Sequence, residues 1–251
     1  ILDPLCVECV AVSDGKDTAL IYSVDDLHLT NPFFKKAFPA ITAATGVPRD
    51  RIFVHSTHTH TGPADWPRDS FTEDENQLVM DYAKMRITRL ADAGRMAIKD
   101  LAPAKVGIAK SKCEKISFIR RYRMKDGSVR TNPGTYNPNV KEALGTPDEE
   151  VNVIRFRRSG APDIAIVSFG THTDTIGGDI VSADWPGRME AEIQREFGYD
   201  IPVMTIIAPQ GNINHFDVST LANQTSYEEA KRIGKAYANA ILSSLYRMRK
   251  V

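Results

Sequence analysis

The first part of the chain alternates between segments with the apolar spacing of strands and segments with the spacing of helices. LCVECVAVSD (5–14) and TALIYSVDDL (18–27) have the composition of strands, and the Asp-Gly turn between them predicts a hairpin. In NPFFKKAFPAITAATG (31–46) the apolar residues follow a helical period. We therefore predict a helix there that Pro39 kinks or breaks and Gly46 ends.

The clearest helix of the sequence covers residues 72–100, after a β-rich segment at 51–60. Thr72 is a favourable N-cap, and Glu75 three residues later completes the pattern of a capping box. The apolar face of this helix is predicted to include Leu78, Tyr82, Met85 and Leu90.

The second part of the chain continues the same alternation. Residues 120–150 are rich in Gly, Pro, Asn and charge, so we expect a long loop there. Ser159-Gly160 is the expected turn of a hairpin, and Asp184 is a favourable N-cap for a helix that Gly198 ends. The predicted elements are a strand at 104–113, a hairpin at 151–170, a helix at 184–198, a strand at 201–212 and a helix at 226–248.

Strands, hairpins and helices in this order indicate an α/β fold with a mixed β-sheet flanked by helices. The sequence has no convincing linker, so we interpret residues 1–251 as a single domain. The chain opens directly in a strand-like segment without a starting Met, and an alternative is that the domain is truncated at both ends.

Composition and charge argue against some classes of binding partner. The 32 basic residues balance the 32 acidic ones, which argues against a nucleic-acid partner or an anionic membrane. The basic run RRYRMK (120–125) is short, and we interpret it as a solvated face or a local anion contact. No apolar run approaches the length of a membrane span, and we find no signal peptide.

The three cysteines, Cys6, Cys9 and Cys113, do not suggest a disulfide framework. Cys6 and Cys9 have Cys-x-x-Cys spacing, but on a strand residues three apart point to opposite faces, and a second such pair is missing. Two separate structural thiols are the simpler interpretation. Unpaired thiols and the missing signal peptide lean towards a cytoplasmic location.

Two stretches of the chain repeat one pattern: STHTHTGPADWP (56–67) and GTHTDTIGGDIVSADWP (170–186). Each contains Thr-His-Thr followed by Ala-Asp-Trp-Pro, and the only two tryptophans, Trp66 and Trp185, lie in the latter motif. Histidines at the same kind of place in two stretches suggest two walls of one site.

The histidines of both stretches are predicted to lie at strand ends, where α/β proteins usually place their sites. Residues i and i+2 of a strand share a face, so His58 and His60 can direct both imidazoles to one point. His172 follows the apolar segment IAIVSFG, and Asp174 shares its face. His55 has the opposite parity and is interpreted as an ordinary core or surface histidine. A third strand ends in the polar residues Gln210, Asn212, Asn214 and His215.

This set of side chains predicts a metal site. Neutral imidazoles with oxygen ligands suit Zn²⁺, and water in an open coordination position would become acidic enough to attack a carbonyl. The alternative is that the Ser/Thr/His runs are turns without a ligand. Other zinc patterns fit poorly, because the chain lacks His-Glu-x-x-His, lacks the Asp-His of metallo-β-lactamase-like sites, and is short for an eight-stranded amidohydrolase barrel.

STHTHTGP (56–63) is close to THTHSGP of the neutral/alkaline, non-lysosomal ceramidases, and the chain resembles the N-terminal catalytic domain of that family. Less specific matches follow in the family's order over nearly the whole chain. They are ILDPLCVECVAVSDGKDTALIYSVD, SFIRRYRMKDGSVRTNPG, EVNVIRFRRSGAPDIAIVSFGTH, SADWPG and APQGNINHFD. The resemblance implies a ceramidase-like α/β fold and zinc-dependent hydrolysis of an amide.

The resemblance also implies roles for particular residues. His58 and His172 match the family's first two zinc ligands, and His60 matches the histidine that contacts the substrate carbonyl or the zinc-bound water. Arg121 matches the substrate-contacting arginine. The family's serine nucleophile corresponds to Asn214, which cannot serve as a nucleophile. Hydrolysis here is therefore expected to use metal-activated water, with His60 as proton carrier and Arg121 or Asn214 as oxyanion partner.

The family's remaining zinc ligands, a Glu and a Tyr, lie downstream of the segment that ends this likeness. The local candidates for further metal or substrate contacts are Asp174, Asp184 and His215, and Asp184 is also the predicted helix N-cap. Trp66 and Trp185 are candidates to line a substrate pocket, with core packing as the alternative.

The resulting hypothesis is a zinc-dependent hydrolase that cleaves a C–N amide bond in a small-molecule or lipid amide. One alternative is an ester or another non-ceramide substrate, and a second is a non-catalytic relative that binds a small molecule or a metal. The missing serine favours the non-catalytic relative, whereas the retained histidines and Arg121 favour an enzyme. The resemblance leaves secretion open, and the sequence leaves open whether copies associate as a homo-oligomer.

Overall fold

The computed structural model describes residues 1–198 and 201–248, and their contacts form two compact units. The first unit comprises residues 1–104, 158–161 and 179–183, and the second comprises residues 105–157, 162–178 and 184–251. Mixed sheets flanked by helices are present, which confirms the predicted α/β class. The single-domain interpretation stays a prediction. None of the described helices combines the length and the apolar character needed to cross a membrane.

The first unit is a hairpin, a crossover helix, a parallel strand and a second helix. Strand β1 (Val7–Ser13) pairs antiparallel with β2 (Thr18–Val24), as the Asp-Gly turn predicted. Helix α1 (Asn31–Thr45) leads to β3 (Ile52–Ser56), which lies parallel to β2. Helix α2 (Glu73–Lys99) then packs against α1 and β1. A βαβ unit built in this way brings the carboxyl ends of β2 and β3 to one edge.

The predicted caps of both helices are confirmed. Gly46 ends α1 in the left-handed region at φ 72°, and its N–H donates to the carbonyl of Thr42 at 2.8 Å. Thr72 and Glu75 form both bonds of the capping box at the start of α2. The expected break at Pro39 does not occur, since α1 continues through it. Pro39 lies on the exposed face, where water can solvate the carbonyl that loses its N–H partner.

Helix α2 buries a different face from the predicted one. Leu90 is fully buried as expected, but Leu78 is 70% exposed and Met85 is 43% exposed. The helix approaches the sheet so closely at Gly94 that an added Cβ would clash with the Tyr22 hydroxyl. The absence of a side chain at Gly94 allows this close approach, so α2 buries a different set of residues from the predicted one. The buried residues of α2 are Ala83, Arg86, Leu90 and Gly94.

The second unit has the same order of elements. Strand β9 (Glu150–Arg158) pairs antiparallel with β10 (Ile164–Phe169), which confirms the hairpin at Ser159-Gly160. Helix α3 (Asp184–Phe197) precedes β11 (Val203–Ile207), which lies parallel to β10. Helix α4 (Tyr227–Met248) packs against α3. Strand β4, Ala104–Lys112, is added beside β9 at the edge of this sheet.

The prediction of one long loop at 120–150 is wrong. Three short strands, β6 (Arg121–Met124), β7 (Val129–Thr131) and β8 (Val140–Ala143), form a small antiparallel sheet there. A two-stranded ladder of β5 and β12, Phe118–Ile119 and Ile213–Asn214, lies outside that sheet. The strands are mostly exposed and only three or four residues long, so Gly, Pro and Asn of the turns dominate the composition.

The core of the second unit is built around three aromatic rings. The Trp185 ring centroid lies 5.2 Å from that of Phe169 and 5.0 Å from that of Tyr237. Helices α3 and α4 meet at Gly234, where an added Cβ would lie 2.7 Å from the Cβ of Arg188 and 2.9 Å from the carbonyl oxygen of Trp185. Trp185 is therefore a core residue and not the wall of a pocket.

Candidate metal centre

The two histidines of the first stretch lie beyond the strand that was predicted to hold them. Strand β3 ends at Ser56, so strand parity does not place His58 and His60 on one face. Instead the backbone turns at His58, whose φ of 67° lies in the left-handed region that few non-glycine residues adopt. The two imidazole centroids are 5.1 Å apart with the rings at 85°, so the turn brings the rings together.

Threonines alternate with these histidines and anchor the stretch. Thr57, Thr59 and Thr61 are 3%, 0% and 7% exposed. The Thr57 hydroxyl donates to the Asp25 carboxylate at 2.9 Å. The hydroxyls of Thr59 and Thr61 both donate to the carbonyl oxygen of Ser182, at 2.7 and 2.9 Å. With every second side chain fixed inward in this way, the intervening histidines are left half-buried and exposed.

The imidazole of His58 has a defined tautomer. Its Nδ1 lies 2.7 Å from the carbonyl oxygen of Leu27. A carbonyl oxygen only accepts, so Nδ1 carries a hydrogen, and in the neutral ring Nε2 then carries the lone pair. Metal-binding histidines in proteins commonly use this arrangement, in which a backbone carbonyl orients the ring. The chemistry of His58 therefore fits a metal ligand that binds through Nε2.

The second stretch uses the same alternation inside the second unit. Thr171, Thr173 and Thr175 are all fully buried. The Thr171 hydroxyl lies 2.5 Å from the hydroxyl of Tyr237. Thr175 donates its hydroxyl hydrogen to the Asp184 carboxylate. His172 and Asp174 lie between these threonines, at the positions that His58 and His60 occupy in the first stretch.

His172 is held at its ring and at its backbone. Its Nδ1 lies 3.4 Å from the carbonyl oxygen of Gln210, a long contact of the same kind as that of His58. Its own carbonyl oxygen accepts a hydrogen bond from Nε1 of Trp185 at 3.1 Å. The side chain is buried, at 6% exposure for the residue. Nε2 is again the nitrogen suited to a metal ion.

The aspartates of the two Ala-Asp-Trp-Pro motifs accept hydrogen bonds from backbone N–H groups. Asp65 accepts a hydrogen bond from the N–H of Thr30 at 2.6 Å. Asp184 accepts from the N–H groups of Thr175 and Ile176, at 3.0 and 3.2 Å, and is fully buried. Burial raises the pKa of the Asp184 carboxyl, and these hydrogen bonds oppose the rise. Asp184 lies at the start of α3, as predicted, but its bonds go mainly to the preceding loop.

Asp174 and His215 face each other in the second unit. His215 Nδ1 lies 3.1 Å from Asp174 Oδ1, an ion-pair distance without the alignment of a hydrogen bond. The other ring nitrogen, Nε2, donates to the carbonyl oxygen of Gln224 at 2.7 Å. The His215 side chain is fully buried, and its predicted contact with a substrate stays a prediction.

Asn214 and the two neighbouring arginines have distinct surroundings. The Asn214 amide donates to the side-chain oxygen of Asn132 at 3.1 Å, and its oxygen accepts from the N–H of Phe216 at 3.1 Å. The Arg120 guanidinium donates twice to the carbonyl oxygen of Gly211, at 3.0 and 2.8 Å. Arg121 is exposed on β6. Of the two arginines, Arg121 is the more exposed.

A cavity of about 350 Å³ opens beside Asn132 in the second unit. Phe216, Val218 and Ala222 supply its apolar wall. Trp66, the other candidate for lining a pocket, is half-buried and packs against the core of the first unit. The prediction that Trp66 lines a substrate pocket stays a prediction.

Sequence reasoning missed the groups that hold the histidines. Leu27 and Ser182 act through backbone carbonyls, which carry no signature in a sequence. The Asp25-Asp26 pair after an apolar strand was the one available signal, because adjacent carboxylates at a strand end usually have partners.

No protein-family model matches the chain, and no curated protein matches its sequence. Solved structures do match. The neutral ceramidase from Pseudomonas aeruginosa aligns with a TM-score of 0.69 and 13% identity over 93% of this chain and 37% of that chain. A ceramidase complexed with C2 aligns with a TM-score of 0.68 and 14% identity over 93% of this chain and 36% of that chain.

The chain thus spans little more than a third of the length of these ceramidases. At such low identity the likeness establishes the fold alone. This chain has a ceramidase-like fold.

Proposed function

We propose that this chain is the catalytic part of a metal-dependent hydrolase that cleaves a C–N amide bond, with zinc held by His58 and His172. The observation that carries the proposal is the bond from His58 Nδ1 to the Leu27 carbonyl, which leaves Nε2 as the ligand atom. The contact of His172 with Gln210 supports the same role. His60 completes a set of three histidines that each offer one ring nitrogen.

The donor set suits zinc, because neutral imidazoles are among its usual ligands. When bound, zinc would act as a Lewis acid and lower the pKa of a water molecule to about 7. The exposed ring of His60 lies next to that of His58, and in this proposal it would carry a proton from the attacking water to the leaving amine. Asp174, held by His215, adds a carboxylate two residues from His172.

The oxyanion partner in this proposal is Arg121. Its guanidinium is exposed, whereas both ends of the Asn214 carboxamide are already bonded to Asn132 and Phe216. A guanidinium stabilises a developing negative charge on oxygen more strongly than a neutral amide does. Asn214 then orients Asn132 at the edge of the cavity and takes no part in covalent chemistry.

The proposed substrate is an N-acyl amide, with lipid amides as the leading class. The support is the fold that this chain shares with two ceramidases. The cavity beside Asn132 has an apolar wall and a few polar groups, as small-molecule sites commonly do. We assign it to one apolar chain of the substrate.

The first experiment measures bound zinc by elemental analysis and hydrolysis of a fluorogenic ceramide and a short-chain N-acyl amide. We expect near-stoichiometric zinc in the wild type, and loss of both metal and hydrolysis in the His58→Ala/His172→Ala double variant. His55→Ala is the matched control, because His55 lies on β3 and lies outside the proposed ligand set. Absence of bound zinc from the wild type under metal-replete conditions would refute the proposal.

A non-catalytic metal-binding protein is the second candidate. The fixed carboxamide of Asn214, at the place of the family's nucleophile, is the observation that favours it. Stoichiometric zinc together with no hydrolysis of amides or esters would support this candidate over the enzyme.

A further inference from the structure

We propose that the buried ion pair between Arg86 and Asp26 is a positioning device for His58. It deepens the proposed function, since it concerns the orientation of a proposed metal ligand. Arg86 lies on α2, and Asp26 lies in the loop after β2. In this proposal both residues act through the backbone of Leu27, whose carbonyl oxygen contacts the imidazole.

The ion pair is almost completely removed from solvent. The side chains of Arg86 and Asp26 are 4% and 2% exposed, and the guanidinium donates to Asp26 Oδ2. The Arg86 guanidinium also lies 4.5 Å from the ring centroid of Tyr82 and 5.0 Å from that of Phe33. Burial lowers the pKa of Arg86 to about 10, so the guanidinium remains charged at neutral pH.

Two hydrogen bonds connect this pair to His58. Asp26 Oδ1 accepts from the N–H of Leu27 at 2.9 Å, which fixes the peptide at that position. The carbonyl oxygen of the same residue then accepts from His58 Nδ1 at 2.7 Å. The N–H and the carbonyl of Leu27 belong to adjacent peptide groups joined at its Cα, so we infer that movement of the Asp26 carboxylate is transmitted through this Cα to the carbonyl that orients the imidazole.

The segment after the histidines also rests on Asp26. An added Cβ at Gly62 would lie 3.3 Å from the Cα of Asp26 and 3.4 Å from its Oδ1. The second terminal nitrogen of Arg86 lies 3.5 Å from the carbonyl oxygen of Ala64. The ion pair thus contacts the chain that follows the left-handed turn at His58, a turn that requires support from its surroundings.

Stability alone gives little reason for a charged pair at this place. Buried ion pairs are often no more stabilising than apolar residues of the same volume, because both charges lose their hydration. Helix α2 buries Arg86 on a face whose other members are Ala83, Leu90 and Gly94, where an apolar residue would serve packing equally well. A charged pair with fixed directions is better suited to orienting a peptide group.

The test compares Arg86→Met with Arg155→Met. Arg155 is a matched control because it is 6% exposed and donates to the Asp163 carboxylate at 2.8 Å within the second unit. For each full-length variant, zinc affinity is measured by competition with a chelator. The ring nitrogens of His58 are followed by ¹⁵N NMR in the metal-free protein, where they report the Nδ1–H tautomer.

We expect Arg86→Met to lower zinc affinity about 10- to 100-fold, as loss of an outer partner of a metal-binding histidine does. The Arg155→Met change should stay within about twofold of wild type. The metal-free NMR spectrum of Arg86→Met should show a mixture of His58 tautomers, whereas Arg155→Met should keep Nδ1–H. Arg86→Lys restores the charge and should recover part of both effects.

Unchanged His58 nitrogen signals in Arg86→Met would overturn the positioning role, as would equal losses of affinity in both methionine variants. If Arg86→Met does not fold, Asp26→Asn replaces it, because its side-chain oxygen can still accept from Leu27 while the charge is lost. A wild type that binds no zinc would instead refute the proposed function, and the nitrogen signals would still decide the role of Arg86.

Discussion

The indole nitrogen of Trp185 donates a hydrogen bond to the carbonyl oxygen of His172 across 3.1 Å. Trp185 is fully buried against the stacked rings of Phe169 and Tyr237, so the bond ties the backbone of a proposed metal ligand to the core of the second unit. The indole thereby supplies packing and one directed donor at the same time.

Trp185→Phe should destabilise the protein by about 2 to 4 kcal/mol. The phenyl ring keeps part of the packing, but it leaves a cavity and removes the donor to the buried His172 carbonyl. The free energy of unfolding in urea measures the loss. Trp66→Phe is the control, since Trp66 is only half-buried and should lose about 1 kcal/mol or less. Equal losses in the two variants would contradict the role given to Trp185.

Gly234→Ala should destabilise the protein by about 1 to 3 kcal/mol or more. The added methyl group would lie 2.8 Å from the backbone nitrogen of Met189 and 2.9 Å from the carbonyl oxygen of Trp185, and neither backbone atom can move away cheaply. Gly177→Ala, with no atom within 4 Å of the new Cβ, should change stability by less than about 0.5 kcal/mol. Thermal or urea unfolding distinguishes the two, and a harmless Gly234→Ala would show that α3 and α4 do not cross this closely.

Asp25→Asn should change the pH dependence of stability. Burial raises the pKa of the Asp25 carboxyl to about 6, although hydrogen bonds from Cys6 and Thr57 lower it in part. Between about pH 4 and pH 6 the folded protein therefore holds a proton that the unfolded chain releases. The wild type should lose about 2 to 3 kcal/mol of stability across this range from this group, with no further loss above it. Asparagine does not titrate, so the variant should lack this component.

The measurement is the difference between wild-type and variant unfolding free energies at several pH values. Asp81→Asn is a control with the opposite sign. Hydrogen bonds from Gln77 and Lys84 lower the pKa of Asp81, so its carboxylate stabilises the folded state as the pH rises through its titration. A difference for Asp25→Asn that is constant from pH 4 to pH 7 would contradict the raised pKa.

Local signals in the sequence were sufficient for most of the elements. The capping box of Thr72 and Glu75, the stop at Gly46 and the Asp-Gly hairpin each act within a few residues, so a short window contains the whole cause. The buried face of α2 and the small sheet between 121 and 143 were missed because they depend on neighbours that are distant in sequence.

The repeated Thr-His pattern does not coincide with the structural repeat. Each unit has a hairpin, a helix, a parallel strand and a helix, yet the first stretch follows β3, the third strand of its unit. The second stretch follows β10, which occupies the place of β2. The likeness in sequence therefore reflects a shared way of anchoring alternate threonines and not equivalent positions in the fold.

The amino-acid sequence was enough to predict the α/β class, the main helices and hairpins, and the residue types that could bind a metal. Those depend on periodicity, caps and side-chain chemistry, which are local properties. The fold was needed to show that Trp185 is a core residue, that Asp184 accepts hydrogen bonds from the loop before α3, and that the Leu27 carbonyl contacts Nδ1 of His58. These features depend on backbone carbonyls and on burial, which reach a side chain only once the chain has folded.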